Sequence, residues 1–202
     1  MQPLSRRAHD LDLSAILPLQ PPEGEILPAL RKVADKIAVA RENGASVILM
    51  MGAHVLRAGV QRFIIDLMER DCIACLAMNG AGIIHDYEFA LIGATTESVA
   101  RYIKDGSFGN WKETGRLNDI VNLGAADELG MGEAVGKYIE EENLPHRDIS
   151  LLAAAYRLGI PATVHIGIGY DIIHQHPNFD PAAAGKTSYT DFLRFAAEVE
   201  NL

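Results

Sequence analysis

Three short apolar runs, each delivering the chain into a glycine turn, constrain this sequence most. "SVILMM" (46–51) runs into Gly52, "CIACLAM" (72–78) into Asn79 and Gly80, and "ATVHI" (162–166) into Gly167. A continuous apolar run of this kind, bounded by turn residues, reads as a strand covered on both faces. Between the first two runs the period changes: Leu56, Val60, Phe63, Ile64 and Leu67 recur at helical spacing over 55–69. A helix near 26–42 closes on Asn43-Gly44, and helical pattern resumes near Ile84. Thr95 or Thr96 can cap a further helix running to Lys104, with Glu97 in its first turn. More helices read near 116–128, 131–143 and 149–159, and a last one near 189–200. That last helix has Ser188 as cap, Asp191 in its first turn, and Phe192, Phe195, Ala196 and Val199 as its buried stripe. Strands alternating with helices predict an α/β fold, a Rossmann-like parallel sheet with helices on both faces. Residues 1–24, with "LPLQPPEGE", read as an arm or linker, and 25–202 as a single α/β domain.

The charge balance narrows the partners. With 27 acidic against 18 basic residues the formal charge is -9. That disfavours non-specific binding to nucleic acid or anionic membranes and leaves a small, even cationic, ligand open. No apolar run approaches the roughly 20 residues of a membrane span. The opening "MQPLSRRAHDLDLS" has two arginines and no apolar segment behind them. The expectation is a cytoplasmic protein. Cys72 and Cys75 form a CxxC spacing inside an apolar run. Residues three apart on a strand point to opposite faces, so both are expected buried and inert.

In parallel sheets ligands bind beyond the carboxyl ends of the strands. Here those ends read "GAH" (52–54), "NGAGIIHD" (79–86) and "HIGIGYD" (165–171). Glycine lets a ligand approach the backbone, and a following helix N-terminus offers free N–H groups to a phosphate. "GAGIIH" misses the dinucleotide fingerprint GxGxxG at the third glycine, where His85 stands; "GIGYDI", with Gly167 and Gly169, misses at the same place. His85 and Asp86 are expected to be a reactive pair. A protonated imidazole is disfavoured at a helix N-terminus, which leaves His85 neutral and able to accept a proton. His54, His85, His165, His174 and His176 all lie on or shortly after strand ends. "HQH" (174–176), with His85, Asp86 or Asp171, is the basis of an alternative reading as a metal-dependent hydrolase. A non-catalytic nucleotide-binding module is the third reading. Neither GxSxG nor a complete P-loop occurs; "AAAGKTS" (182–188) matches only a P-loop tail and lacks the first glycine at the required offset.

"SVILMMGAHVLRAGVQRFIIDLMER" followed by "CIACLAMNGAGIIHDYEFAL", then "AAYRLGIPATVHIGIGYDIIHQHP" and "SYTDFLRFAAEVENL", resembles the core of deoxyhypusine synthase over roughly 45–202. The resemblance is closer to the bacterial deoxyhypusine-synthase-like proteins. It implies that family's NAD-binding fold, with NAD held at the strand ends by a homo-oligomer, tetramer favoured. It also implies a small substrate of the amine or polyamine type. The family oxidises spermidine and transfers its aminobutyl group through an imine on a catalytic lysine. Carried over, Gly52, His54, Asn79, Gly80, Ala81 and Gly82 fall at cofactor-side turns. Asp86 falls on the aspartate after the second turn, and Asp171 on the aspartate after the late glycine loop, with His174 close behind. The family's two polyamine-binding glutamates are Ile84 and His85 here. Its catalytic lysine lies downstream of the last matching helix, so the family's C-terminal part is expected to be missing. Lys186 is the only late lysine available for that role.

Overall fold

The computed structural model describes residues 1–202 except 22 and 201. In chain order the elements are β1 (Leu11–Asp12), α1 (Pro28–Glu42), β2 (Ile48–Met51), α2 (His54–Arg57), α3 (Gln61–Glu69), β3 (Cys75–Asn79) and α4 (Gly80–Ile92). Then follow β4 (Ala94–Thr95), α5 (Val99–Tyr102), α6 (Arg116–Ala126), α7 (Met131–Glu141), α8 (Leu151–Leu158), β5 (Ala162–His165) and α9 (Pro181–Glu200).

The three apolar runs form one parallel sheet in the order β2-β3-β5, flanked by helices. The register pairs Ile48 with Cys75 and Asn79 with His165, so the carboxyl ends of the strands are level. The α/β reading therefore holds. Its core is Leu76 and Met78 of β3 and Val164 of β5, packed with Ile64 and Met68 of α3, Ile83 and Tyr87 of α4, Val135 and Ile139 of α7, and Leu151 and Leu152 of α8. β2 is the exception to double coverage: none of its residues is fully buried, and Met50 is 69% exposed. α1, which precedes it, contributes no buried residue.

The N-terminal arm lies on the body. β1 pairs antiparallel with β4, Leu11 opposite Thr95. Leu4 is buried with Tyr102 and Trp111 in a second apolar cluster, where the two rings meet edge to face at 5.1 Å. The arm also explains why the helix expected over 55–69 is broken into α2 and α3. Gly59 has φ +76°, and a Cβ there would collide with the carbonyl oxygen of Ala15.

Local competition corrects several boundaries. β3 begins at Cys75, leaving Cys72 in the connection after α3 and partly exposed; only Cys75 is buried, its thiol pushed up to about 11 chiefly by desolvation. Ser98, not Thr95 or Thr96, caps α5, accepting from the Arg101 N–H at 3.3 Å. α9 starts at Pro181, so "AAAGKTS" is helix. Ser188 is mid-helix, donating to Val164 O at 3.0 Å and accepting from Ile166 N at 3.2 Å. The buried face of α9 is Ala183, Ala184, Thr187 and Asp191, while Phe192 and Val199 are exposed.

Candidate functional site

α4 follows β3 without an intervening loop. Asn79 is its N-cap, the side-chain oxygen accepting from Gly82 N at 3.2 Å. Gly80 and Gly82 therefore lie in the first helical turn, and each serves a protein contact. A Cβ on Gly82 would come within 2.7 Å of Met78 Sδ, and one on Gly80 would collide with the carboxylate of Asp171. Asp171 thus sits against the helix end where a cofactor phosphate was expected. Desolvation pushes its carboxyl above the usual range, against the opposing pull of His174. A pyrophosphate placed there would meet a carboxylate and a helix end already capped by Asn79. The residues present at this turn do not fit that group.

One turn further along α4 the chemistry concentrates. His85 and Glu88 are three residues apart and share a helix face. Glu88 is 1% exposed. Its carboxylate takes both guanidinium nitrogens of Arg7, at 2.8 and 2.7 Å, and the hydroxyls of Thr95 and Thr114, each at 2.6 Å. A buried charge pair is tolerable only when its remaining lone pairs are satisfied, and here four donors converge on one carboxylate. Thr95 has a single hydroxyl proton, which goes to Glu88. Its oxygen must therefore accept from His85 Nδ1, 2.8 Å away. This assigns the tautomer: Nδ1 carries the proton, and Nε2 presents a lone pair with no partner among the described residues. Burial pushes the His85 pKa down to about 4, with Glu88 pulling upward and Arg57, Arg7 and His54 pushing down. The direction agrees with the neutral imidazole expected from the sequence, with burial as its main cause.

His85 lines a cavity of about 410 Å³, within the size range of small-molecule sites. Its wall also includes Arg7 from the arm, Arg57 of α2, Ala81 of α4, Glu97 before α5, and Tyr170 and Asp171 after β5. The sequence-predicted residues brought together there are His85, Ala81 and Asp171. Arg7, Arg57, Glu88, Thr95 and Glu97 were missed. Only Glu88 carried a legible signal, its spacing from His85; the others come from segments joined to the site by tertiary contacts.

Asp86 is separated from His85. Successive helical residues point about 100° apart, and Asp86 turns into the core. There it accepts from Ser150 Oγ at 2.6 Å, Leu151 N at 2.8 Å and Leu152 N at 3.2 Å, holding the N-terminus of α8. The reactive-pair expectation is corrected accordingly. His174 Nδ1 accepts from the N–H groups of Gly169 and Asp171, at 3.0 and 3.2 Å, and its ring packs on Phe179. His174 therefore orders the loop of Gly167 and Gly169. His176 is buried, its Nε2 2.6 Å from Gly109 O. Lys186 donates to Ala125 O at 2.7 Å, tying α9 to the end of α6. Gly52 has open space around it, and His54 is exposed with its Nε2 3.2 Å from Arg57 Nη1. Among the described residues no group of three or more His, Cys, Asp or Glu side chains is placed to hold a metal ion. The HQH hydrolase reading thus loses its ligand set, both rings being engaged by the backbone.

No family model and no curated protein matches the sequence. Solved structures share its fold. ArgZ, an arginine dihydrolase from the ornithine-ammonia cycle in cyanobacteria, superposes with a TM-score of 0.56 at 14% identity, over 86% of this chain and 23% of that one. A "conserved putative LOR/SDH protein" from Methanococcus maripaludis S2 gives a TM-score of 0.53 at 17% identity, over 89% of this chain and 52% of the other. The chain therefore spans about a quarter and about half of these two proteins, and the likeness is one of fold. These neighbours overturn the deoxyhypusine synthase resemblance and, with it, the polyamine-type substrate and aminobutyl transfer that it implied. Among the described residues no helix is long and apolar enough to cross a membrane. The chain is an α/β protein with a three-stranded parallel sheet flanked by helices, a core compatible with a Rossmann-like fold.

Proposed function

We propose that the cavity at the strand ends binds a small molecule and that His85 Nε2 accepts a proton from it. The observation that carries this reading is the chain of hydrogen bonds from His85 through Thr95 to Glu88. An imidazole held in the Nδ1–H tautomer has its basic lone pair on Nε2, the geometry a general base needs. When Nε2 takes a proton, the positive charge is stabilised through the Thr95 hydroxyl by the Glu88 carboxylate. Arg7 and Thr114 fix that carboxylate in place, so little reorganisation accompanies the transfer. His85 is the proposed catalytic residue, and Thr95 and Glu88 are positioning residues.

NAD, expected from the sequence, is a ligand to be tested. Its pyrophosphate has no free helix N-terminus at Gly80. Titrating NAD into the native protein and into Asp171→Asn tests that point: tighter binding to the variant would locate a phosphate beside Gly80.

The base itself is tested without a substrate. Nitrogen-15 spectra of the imidazoles should show His85 protonated on Nδ1 at pH 7, with titration well below that of a free histidine. An Nε2–H tautomer would overturn the assignment.

A further inference from the structure

The cavity wall holds polar atoms that the protein leaves without partners. Arg57 Nε, Thr96 Oγ1 and Glu97 Oε2 are each buried and unpaired, and all three residues line this cavity. Unpaired buried polar groups are rare because each costs free energy, and three of those found belong to residues of this one wall. Glu97 is the sharpest case. Its side chain is more than nine-tenths buried, and Oε1 accepts from Gly109 N at 3.0 Å and Trp111 Nε1 at 2.8 Å, while Oε2 accepts from nothing. Thr96 adds a second kind of evidence. It has φ +68°, a left-handed conformation that β-branched residues rarely adopt. Strain of this kind persists where the surrounding structure imposes it, often at ligand clamps.

The signs of these groups define the occupant. Arg57 offers an unsatisfied guanidinium N–H and calls for an acceptor, best an anion; Arg7 is already consumed by Glu88. Glu97 Oε2 calls for a donor, best a cation. Burial already pushes the Glu97 carboxyl upward, and a cation beside it would offset that cost. A ligand of one sign satisfies one group and repels the other. Asp10 and Asp171 add carboxyls to the same wall, which disfavours an acidic side chain on the ligand. We infer that the occupant is a small zwitterion of the free amino acid type, its carboxylate on Arg57 and its ammonium on Glu97. The inference rests on the proposed reading of this cavity as a binding site.

The test is calorimetry on the full chain with neutral, basic and acidic free amino acids, against butyrate and butylamine as single-charge probes. At least one neutral or basic amino acid should bind ten-fold or more tightly than either probe. Glu97→Gln keeps the contact to Trp111 and should weaken that binding at least ten-fold, as should Arg57→Gln. Arg57→Lys, which keeps the charge, should recover part of the loss and covers the case of a glutamine variant that fails to fold. Absence of binding by every amino acid would overturn the inference, as would equal binding of either probe or unchanged affinity in Arg57→Gln. Imidazole resonances separate this failure from that of the proposed base. If a single-charge probe moves the His85 signals and binds as tightly as any amino acid, the cavity reading survives and the zwitterion falls. If an amino acid binds without moving them, the zwitterion site survives and the base falls.

Discussion

His85 Nδ1 and Thr95 Oγ1 lie 2.8 Å apart, and the Thr95 proton is already committed to Glu88. The hydroxyl therefore works in one direction only, accepting from the histidine. Thr95→Val keeps the shape and removes this link, leaving a buried imidazole N–H unpaired and Glu88 short of one donor. Each unpaired buried group costs about 1–3 kcal/mol. Urea unfolding should show a loss of that size, and the His85 tautomer should become mixed. A variant with unchanged stability and a pure Nδ1–H tautomer would mean that the threonine does not fix the ring.

Arg7 and Glu88 tie the N-terminal arm to the centre of the molecule, with both side chains 1% exposed. Removing one partner of a buried pair strands the other charge, at a cost of about 3–5 kcal/mol. Arg7→Met should lower stability by that order, and pairing it with Glu88→Gln should recover part of the loss. Because Arg7 also lines the cavity, limited proteolysis of the Arg7→Met protein should release the arm faster than in the native chain. Equal proteolysis rates would show that the arm is held by its other contacts, among them Leu4, the β1–β4 pairing and the Ala8 N–H to the Tyr102 hydroxyl.

The sheet was legible because β3 is apolar on both faces and β5 is buried along most of its length, and short apolar runs report burial. The apolar run of β2 carried the same signal although one of its faces is uncovered, since a sequence does not say which packing neighbour is absent. The candidate site was legible where one element carries it: the sequence singled out His85, which lies on α4 and lines the cavity. Asp86 was misread because adjacency in sequence is not adjacency on a helix. The glycines do not decide the matter from sequence, because a Gly-x-Gly pair has the same appearance whether a phosphate or the protein's own Asp171 and Met78 approach the backbone. Arg7, Arg57 and Glu97 reach the cavity from three separate segments, a juxtaposition set by tertiary packing.

Asp191 gives the protein a pH dependence near neutrality. It is buried on α9, accepting from Gly132 N at 3.0 Å and Val164 N at 2.8 Å, yet desolvation dominates and pushes its carboxyl up to about 7. A folded pKa above the unfolded value of 3.8 means that the native state holds its proton longer than the unfolded chain. The stability from this group is full below pH 3.8 and is lost as pH rises through about 7. Asp86, pushed up to about 6 by desolvation, has the same sign. Asp191→Asn should therefore flatten the fall in Tm between about pH 5 and 8. An unchanged slope would show that the two backbone N–H groups keep Asp191 ionised throughout.

α1 is the element least explained by the isolated chain. Its 15 residues bury nothing, although Leu30, Val33 and Ile37 recur at helical spacing on one face. A helix of that length without tertiary support is marginal in water. α1 also carries Arg31, Lys32, Lys36 and Arg41 against Asp35 and Glu42, a basic element on a chain of formal charge -9. Apolar and basic together on a chain of net charge -9, it suits a second copy as partner, and we propose that self-association covers it. Light scattering at micromolar concentration should give more than the 21.9 kDa of one chain. Leu30→Glu with Val33→Glu should reduce that mass to a single chain while the spectra of the core stay folded. A native protein that scatters as a monomer would remove this account of α1.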